Sequence, residues 1–190
     1  MWVVKIDASG NKLWDKRYGG SAGEWCWGGA VATFDGGYLL AGSSWSGAGG
    51  DKSEASRGGS DFWVVRIDAD GGKLWDRRFG GGGGDFCSSV LAANDGGFLL
   101  AGHSESSADG DKSEDSRGQR DYWTVKIDAS GNKVWDKRFG GNSLEECSSI
   151  LATTDGGYLL FGTSESDANG DVSEAGRGAK DYWAVKIDAS

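Results

Sequence analysis

Trp123-Thr124-Val125-Lys126-Ile127-Asp128-Ala129-Ser130-Gly131-Asn132-Lys133-Val134-Trp135 reads as two strands and the turn between them. Apolar Trp123, Val125 and Ile127 alternate with Thr124, Lys126 and Asp128, the period-two pattern of a half-buried strand. Ala129 to Asn132 supplies turn residues. Lys133 to Phe139 then forms a second strand with Trp135 and Phe139 on one face, so the stretch is a β-hairpin.

The hairpin is one half of a repeat. Trp2, Trp63, Trp123 and Trp183 each open Trp-x-Val-Lys/Arg-Ile-Asp, at spacings of 61, 60 and 60. Trp14, Trp75 and Trp135 recur at one fixed offset, and Cys26, Cys87 and Cys147 at another. Asp-Gly-Gly-Tyr/Phe-Leu-Leu recurs at Asp35, Asp95 and Asp155. Residues 63–122 and 123–182 are identical at 36 of 60 positions, and the first repeat carries one extra residue between Cys26 and Asp35. The chain is therefore one array over 1–190: repeat 1 at 2–62, repeat 2 at 63–122, repeat 3 at 123–182 and a terminal strand at 183–190.

The second half of each repeat adds two strands. Cys147 to Ala152 is one. Asp155-Gly156-Gly157 turns the chain into Tyr158-Leu159-Leu160-Phe161-Gly162, which is apolar on both faces and therefore central and doubly covered. Four antiparallel strands in a period near 60 predict an all-β protein of β-propeller blades. A β-solenoid is the rival, although its coils are shorter and lack this hairpin punctuation. No segment keeps a helical period.

Composition narrows the functions. Thirty-five glycines, ten tryptophans and no proline suit short strands and tight turns rather than disorder. A net charge of −9 argues against a nucleic-acid partner. No apolar run is long enough for membrane insertion, and the N-terminal residues lack the layout of a signal peptide.

Two resemblances follow from these phrases. Ile6-Asp7-Ala8-Ser9-Gly10-Asn11-Lys12-Leu13-Trp14 resembles the tryptophan-docking motif of quinoprotein-type propellers, in which a Trp wedges between blades. The turn is one residue shorter and Ser replaces Thr, so a quinone cofactor does not carry over. The whole repeat is similar to arrays in secreted bacterial surface proteins that carry Asp-Gly-Gly-Tyr and Asp-Tyr-Trp-Val-Val-Lys-Ile-Asp phrases. That resemblance implies a propeller in an extracellular or cell-surface setting and no defined activity. Repeats this alike point to recent duplication or to a designed or consensus sequence.

Candidate chemistry is sparse, and no enzyme is expected. No nucleophile motif or phosphate-binding loop is present. His103 aligns with Ser43 and Thr163 and reads as a surface substitution. Asp7, Asp68, Asp128 and Asp188 end strands at turns and are expected to cap turn amides. Cys26, Cys87 and Cys147 read as small buried apolar side chains. Arg57 with Asp61, Arg117 with Asp121, and Arg177 with Asp181 read as ion pairs at the base of each long loop. The loops hold Asp109, Asp111 and Glu114, then Asp167, Asp171 and Glu174. These oxygen donors beside glycine make calcium the one cofactor to consider. Trp14, Trp63, Trp75, Trp123, Trp135 and Trp183 are structural. Trp25, Trp27 and Trp45 are different: sister repeats place Phe86, Glu146, Glu105, Glu165 or serine there. Tryptophan at positions that tolerate Glu marks a binding patch.

The expected function is a non-enzymatic binding or scaffold module. The alternatives are a lectin-like propeller that binds glycans in aromatic pockets and a calcium-stabilised surface adhesion module. A glycan or a protein is the expected ligand. Three blades are too few to close, so the partner is a second copy, giving a six-bladed homodimer. The strands divide as two, four, four and three. The Trp-x-Val-Lys-Ile-Asp strand is present at both ends, so one copy per chain is surplus. Loop-closure entropy favours pairing of the N-terminal copy, held by a short turn, and fraying of the C-terminal one.

Overall fold

A computed structural model describes residues 1–188. It contains thirteen strands and no helix among those residues: β1 (Trp2–Ile6), β2 (Lys12–Arg17), β3 (Glu24–Ala32), β4 (Tyr38–Ser44), β5 (Asp61–Ile67), β6 (Lys73–Phe79), β7 (Asp85–Ala92), β8 (Phe98–Ser104), β9 (Asp121–Ile127), β10 (Lys133–Phe139), β11 (Glu145–Ala152), β12 (Tyr158–Ser164) and β13 (Asp181–Ile187). They form a hairpin β1-β2 and three antiparallel meanders, β3 to β6, β7 to β10 and β11 to β13. This is the division into two, four, four and three that the sequence implies. Consecutive antiparallel meanders exclude the solenoid. Each sequence repeat is thus cut by the fold: its first hairpin closes one sheet and its last two strands open the next.

The turns follow from side-chain chemistry. Asp7 Oδ1 accepts the amides of Ser9 and Asn11 at 2.8 and 2.9 Å. Asp68 and Asp128 hold the equivalent turns in the same way, so these three aspartates cap as expected. Asp188, the fourth, is the last described residue.

The sheets stack face to face in chain order. One core joins the first two meanders through Leu39, Phe62 and Val64 on one side and Cys87, Leu100 and Trp123 on the other. A second joins the next pair through Leu99, Tyr122, Cys147 and Leu160. A third packs the hairpin on the first meander through Tyr18, Leu40 and Trp63. Strands β5 and β9 are buried at every position, which corrects the half-buried reading of β9: a sheet packs on each face, so Thr124 and Lys126 are covered as well as Trp123 and Val125. Trp63 and Trp123 are fully buried and donate Nε1–H to Asp76 and Asp136 at 3.0 and 3.1 Å. Trp14 reaches across to the next sheet, donating to the Ala69 carbonyl at 3.1 Å, and its ring lies over Gly71, where a Cβ would meet it. The docking expected of this tryptophan is therefore a contact between its ring edge and the neighbouring turn.

Ion networks lock the two junctions between meanders at the long-loop face. Asp111 is 2.6 Å from Arg57 and 3.0 Å from Arg78, and accepts the Gly80 amide at 3.2 Å. Arg78 also faces Glu54 at 3.3 Å and Asp61 at 3.7 Å. The next junction repeats this: Asp171 lies 2.7 Å from Arg117 and 3.3 Å from Arg138, which faces Glu114 and Asp121 at 3.5 and 3.8 Å. The expected pairing of Arg57 with Asp61 is corrected here. Asp61 accepts the Arg57 backbone amide at 2.8 Å, and the guanidinium crosses to the neighbouring sheet. The same holds for Arg117 and Asp121, and Asp181 likewise accepts the Arg177 backbone amide with no side-chain ion pair between the two among the described residues.

Candidate aromatic binding face

Trp25 is the second residue of β3, opposite Ser43 of β4, and Trp45 follows the end of β4. Their rings lie 4.8 Å apart, nearly perpendicular at 63°. Trp27 lies 4.6 Å from Trp25. The three residues singled out in the sequence therefore meet. Trp25 and Trp27 remain 46% and 60% exposed, and Trp45 is half-buried beneath them. The extra residue of the first repeat explains Trp27. In β7 and β11 a bulge inserts one residue, Ser88 or Ser148, opposite the partner strand. In β3 the shift spans Cys26, Trp27 and Gly28, and Gly29 takes φ +78° to carry it. A wider bulge re-aims a side chain.

The aromatic surface continues into the second meander. Trp45 contacts Phe86 at 5.8 Å, and Phe86 stacks on His103 at 5.1 Å with 29° between planes. Arg120 lies over the outer face of Phe86 at 5.8 Å. His103 is thus a half-buried member of the ladder, which corrects its reading as a surface substitution. Burial, helped by the Arg120 charge, pushes its imidazole down to about 4, so it is neutral at pH 7. The β7–β8 register sets Phe86 directly opposite His103. Beyond His103 the face becomes charged. Arg120 pairs with Glu105 and Glu146 at 2.5 Å each, and Lys180 pairs with Glu146 and Glu165 at 3.0 and 3.3 Å. Around one face of the molecule, equivalent positions thus grade from tryptophan to carboxylate.

The acidic loop residues named for calcium make the following contacts. Asp111 and Asp171 point at arginines, Glu114 at Lys137 and Arg138, and Asp109 accepts the Gly82 amide. Asp167 takes the Asn169 side-chain amide on its carbonyl, and Glu174 is exposed. Among the described residues no three carboxylate, His or Cys side chains gather as a metal site. Cys87 and Cys147 are buried, but Cys26 is exposed, against expectation. The first two pack on a preceding meander, whereas only the hairpin β1-β2 precedes β3. No helix among the described residues is long and apolar enough to cross a membrane.

No family model and no curated protein matches the chain. Among solved structures, it is similar to a protein of unknown function from Bacteroides caccae, with a TM-score of 0.50 and 13% identity over 100% of this chain and 58% of that one. The chain thus spans little more than half of that structure. Similarity at this level is one of fold: repeated antiparallel sheets in an all-β molecule.

Proposed function

We propose that the chain is a non-enzymatic binding module built of β-propeller blades, three per chain, that completes its ring with a second copy and presents the Trp25–Trp27–Trp45 patch to its ligand. The observation that carries this reading is that Trp25 contacts both Trp27 and Trp45, with Trp25 and Trp27 exposed, on the first meander only. Clustered exposed aromatics are rare on an inert surface and typical of recognition sites. A glycan is the second reading. It is favoured by flat indole faces beside Arg120, Glu105 and Glu146, which supply stacking and hydrogen bonding for a sugar ring. The similarity to secreted surface arrays supports an extracellular setting.

Replacing Trp25, Trp27 and Trp45 together by serine tests the patch. Sister repeats carry Phe, Glu or Ser at these positions, so the fold is expected to persist, as checked by circular dichroism. Binding on glycan arrays and in peptide-library selections is expected to fall at least tenfold. Unchanged profiles in both would remove the patch from consideration.

A further inference from the structure

The two open ends of the chain carry the separated halves of a third junction. At the C-terminal end stand Arg177, Glu174 and Asp181, the equivalents of Arg57, Glu54 and Asp61. At the N-terminal end stand Arg17 and Asp51, the equivalents of Arg78 and Asp111. None of these five enters an ion pair among the described residues, while their ten counterparts at the two internal junctions all do. Asp51 already accepts the Gly19 amide at 3.1 Å, as Asp111 accepts that of Gly80. Asp51 is thus held as Asp111 is, and the cation absent from its end is Arg177, which stands at the other.

Glycine gives a second, independent sign. A Cβ on Gly58 would stand 2.1 Å from the Gly82 carbonyl oxygen of the following sheet, and one on Gly118 would stand 2.1 Å from that of Ser143. Gly178 is their equivalent, and a Cβ there would meet nothing within 4 Å. The apolar faces agree. Phe62 and Tyr122 are fully buried against the tryptophan of the next sheet, at 4.9 and 4.8 Å, whereas Tyr182 is 84% exposed. An open groove of about 470 Å³ lies along β13, lined by Ser173, Glu174, Arg177, Asp181 and Trp183 among others. In the first two meanders the fourth strand, β6 or β10, fills the corresponding place.

The geometry points to a second copy of this chain as the occupant: its β2 adds to the free edge of β13 and its β1 is displaced. This rests on the assembly reading above and makes it specific. Trp183 would then face Arg17 of the second copy, as Trp63 faces Arg78. Asp15 would gain the Ser173 amide, as Asp76 and Asp136 hold those of Ser53 and Ser113. The choice of β13 over β1 reverses the expectation from loop closure. β13 pairs with β12 over seven positions and brings Asp181, which already accepts the Arg177 amide at 2.7 Å. It also brings Lys186, which pairs with Asp155 at 2.9 Å. β1 pairs over five positions, and Met1 occupies the place of Phe62, Tyr122 and Tyr182. Twenty-six strands then serve twenty-four positions, with both copies of β1 surplus. Two chains give six blades, within the four to eight that close, whereas one or three chains fall outside.

Gly178→Leu tests the seat. It meets open space in the lone chain, so circular dichroism and the melting temperature at nanomolar concentration should not change. Light scattering should give twice 19.9 kDa for the native chain at tens of micromolar. The leucine variant should give 19.9 kDa, with a dissociation constant raised at least about a hundredfold. A chain lacking residues 2–6 should keep the dimer, and one ending at residue 180 should lose it. A monomeric native chain would overturn the assembly reading altogether. A native dimer that tolerates Gly178→Leu would overturn this seat alone, and the opposite ranking of the two deletions would return the place to β1. None of these outcomes bears on the tryptophan patch.

Discussion

Asp61 shows how a fully buried residue can be legible in identity and misleading in role. Its recurrence four residues after an arginine suggests a side-chain ion pair. In the fold it closes the loop through the Arg57 backbone amide, and its second oxygen has no partner. Asp61 and Asp85 both flank Gly80 so closely that a Cβ there would strike each. Burial, with the Asp85 charge adding to it, pushes the Asp61 carboxyl up to about 6, against the opposing pull of the Arg57 amide and Arg78. A raised carboxyl favours the protonated folded state. Its contribution is complete below pH ~4 and is lost as pH rises through about 6. Asp61→Asn stays neutral throughout. Urea unfolding of both proteins at pH 4 and pH 7 is therefore expected to show the native chain losing about 2–3 kcal/mol more than the variant over that interval. Parallel losses would mean that Asp61 is ionised throughout. Spacing along the chain could not reveal this, because the two carboxylates come from different meanders.

Strands were the most legible level. The double-sided apolar run places β4, β8 and β12 inside their sheets, but β12 is not doubly covered: Phe161 is 43% exposed, because no further sheet stands on that face among the described residues. What alternation cannot give is which copy of a repeated strand has a neighbour on each face. Trp2, Trp63 and Trp123 open equivalent phrases, yet Trp63 and Trp123 are fully buried and Trp2 is 65% exposed. The difference lies in what stands in front of each strand. Trp123→Ala removes a buried indole and orphans Asp136, which then keeps only the Ser113 amide and Lys133. Its cost is expected to be about 3–5 kcal/mol in chemical denaturation. Trp2→Ala in the same assay should cost less than ~1 kcal/mol. Equal costs would show that β1 has a cover on its outer face. The same logic explains Cys26, whose equivalents are buried. The sequence singled out Trp25, Trp27 and Trp45 by asymmetry, but the share of Phe86 and His103 in the ladder depends on the β7–β8 register.

At the scale of the molecule, the proposed assembly turns on the free edge of β13. An exposed strand edge offers unpaired amides and carbonyls to any extended chain, and β13 offers seven residues of it. If β2 of a second copy takes that edge, hydrogen exchange reports the trade strand by strand. In the lone chain β1 is protected by β2, while the outward amides of β13 exchange with solvent. In the dimer the protection should move: β13 gains it and Trp2–Ile6 loses it. The change should follow protein concentration with the midpoint measured by light scattering, since both read one equilibrium. Arg17→Glu places a carboxylate against Glu174 and Asp181, so it should shift that midpoint upward while leaving the low-concentration exchange pattern unaltered. Protection of β13 at every concentration would mean that something within the chain already covers the edge. Gain of protection in β1 rather than β13 would mean that the hairpin enters intact and the C-terminal strand leaves.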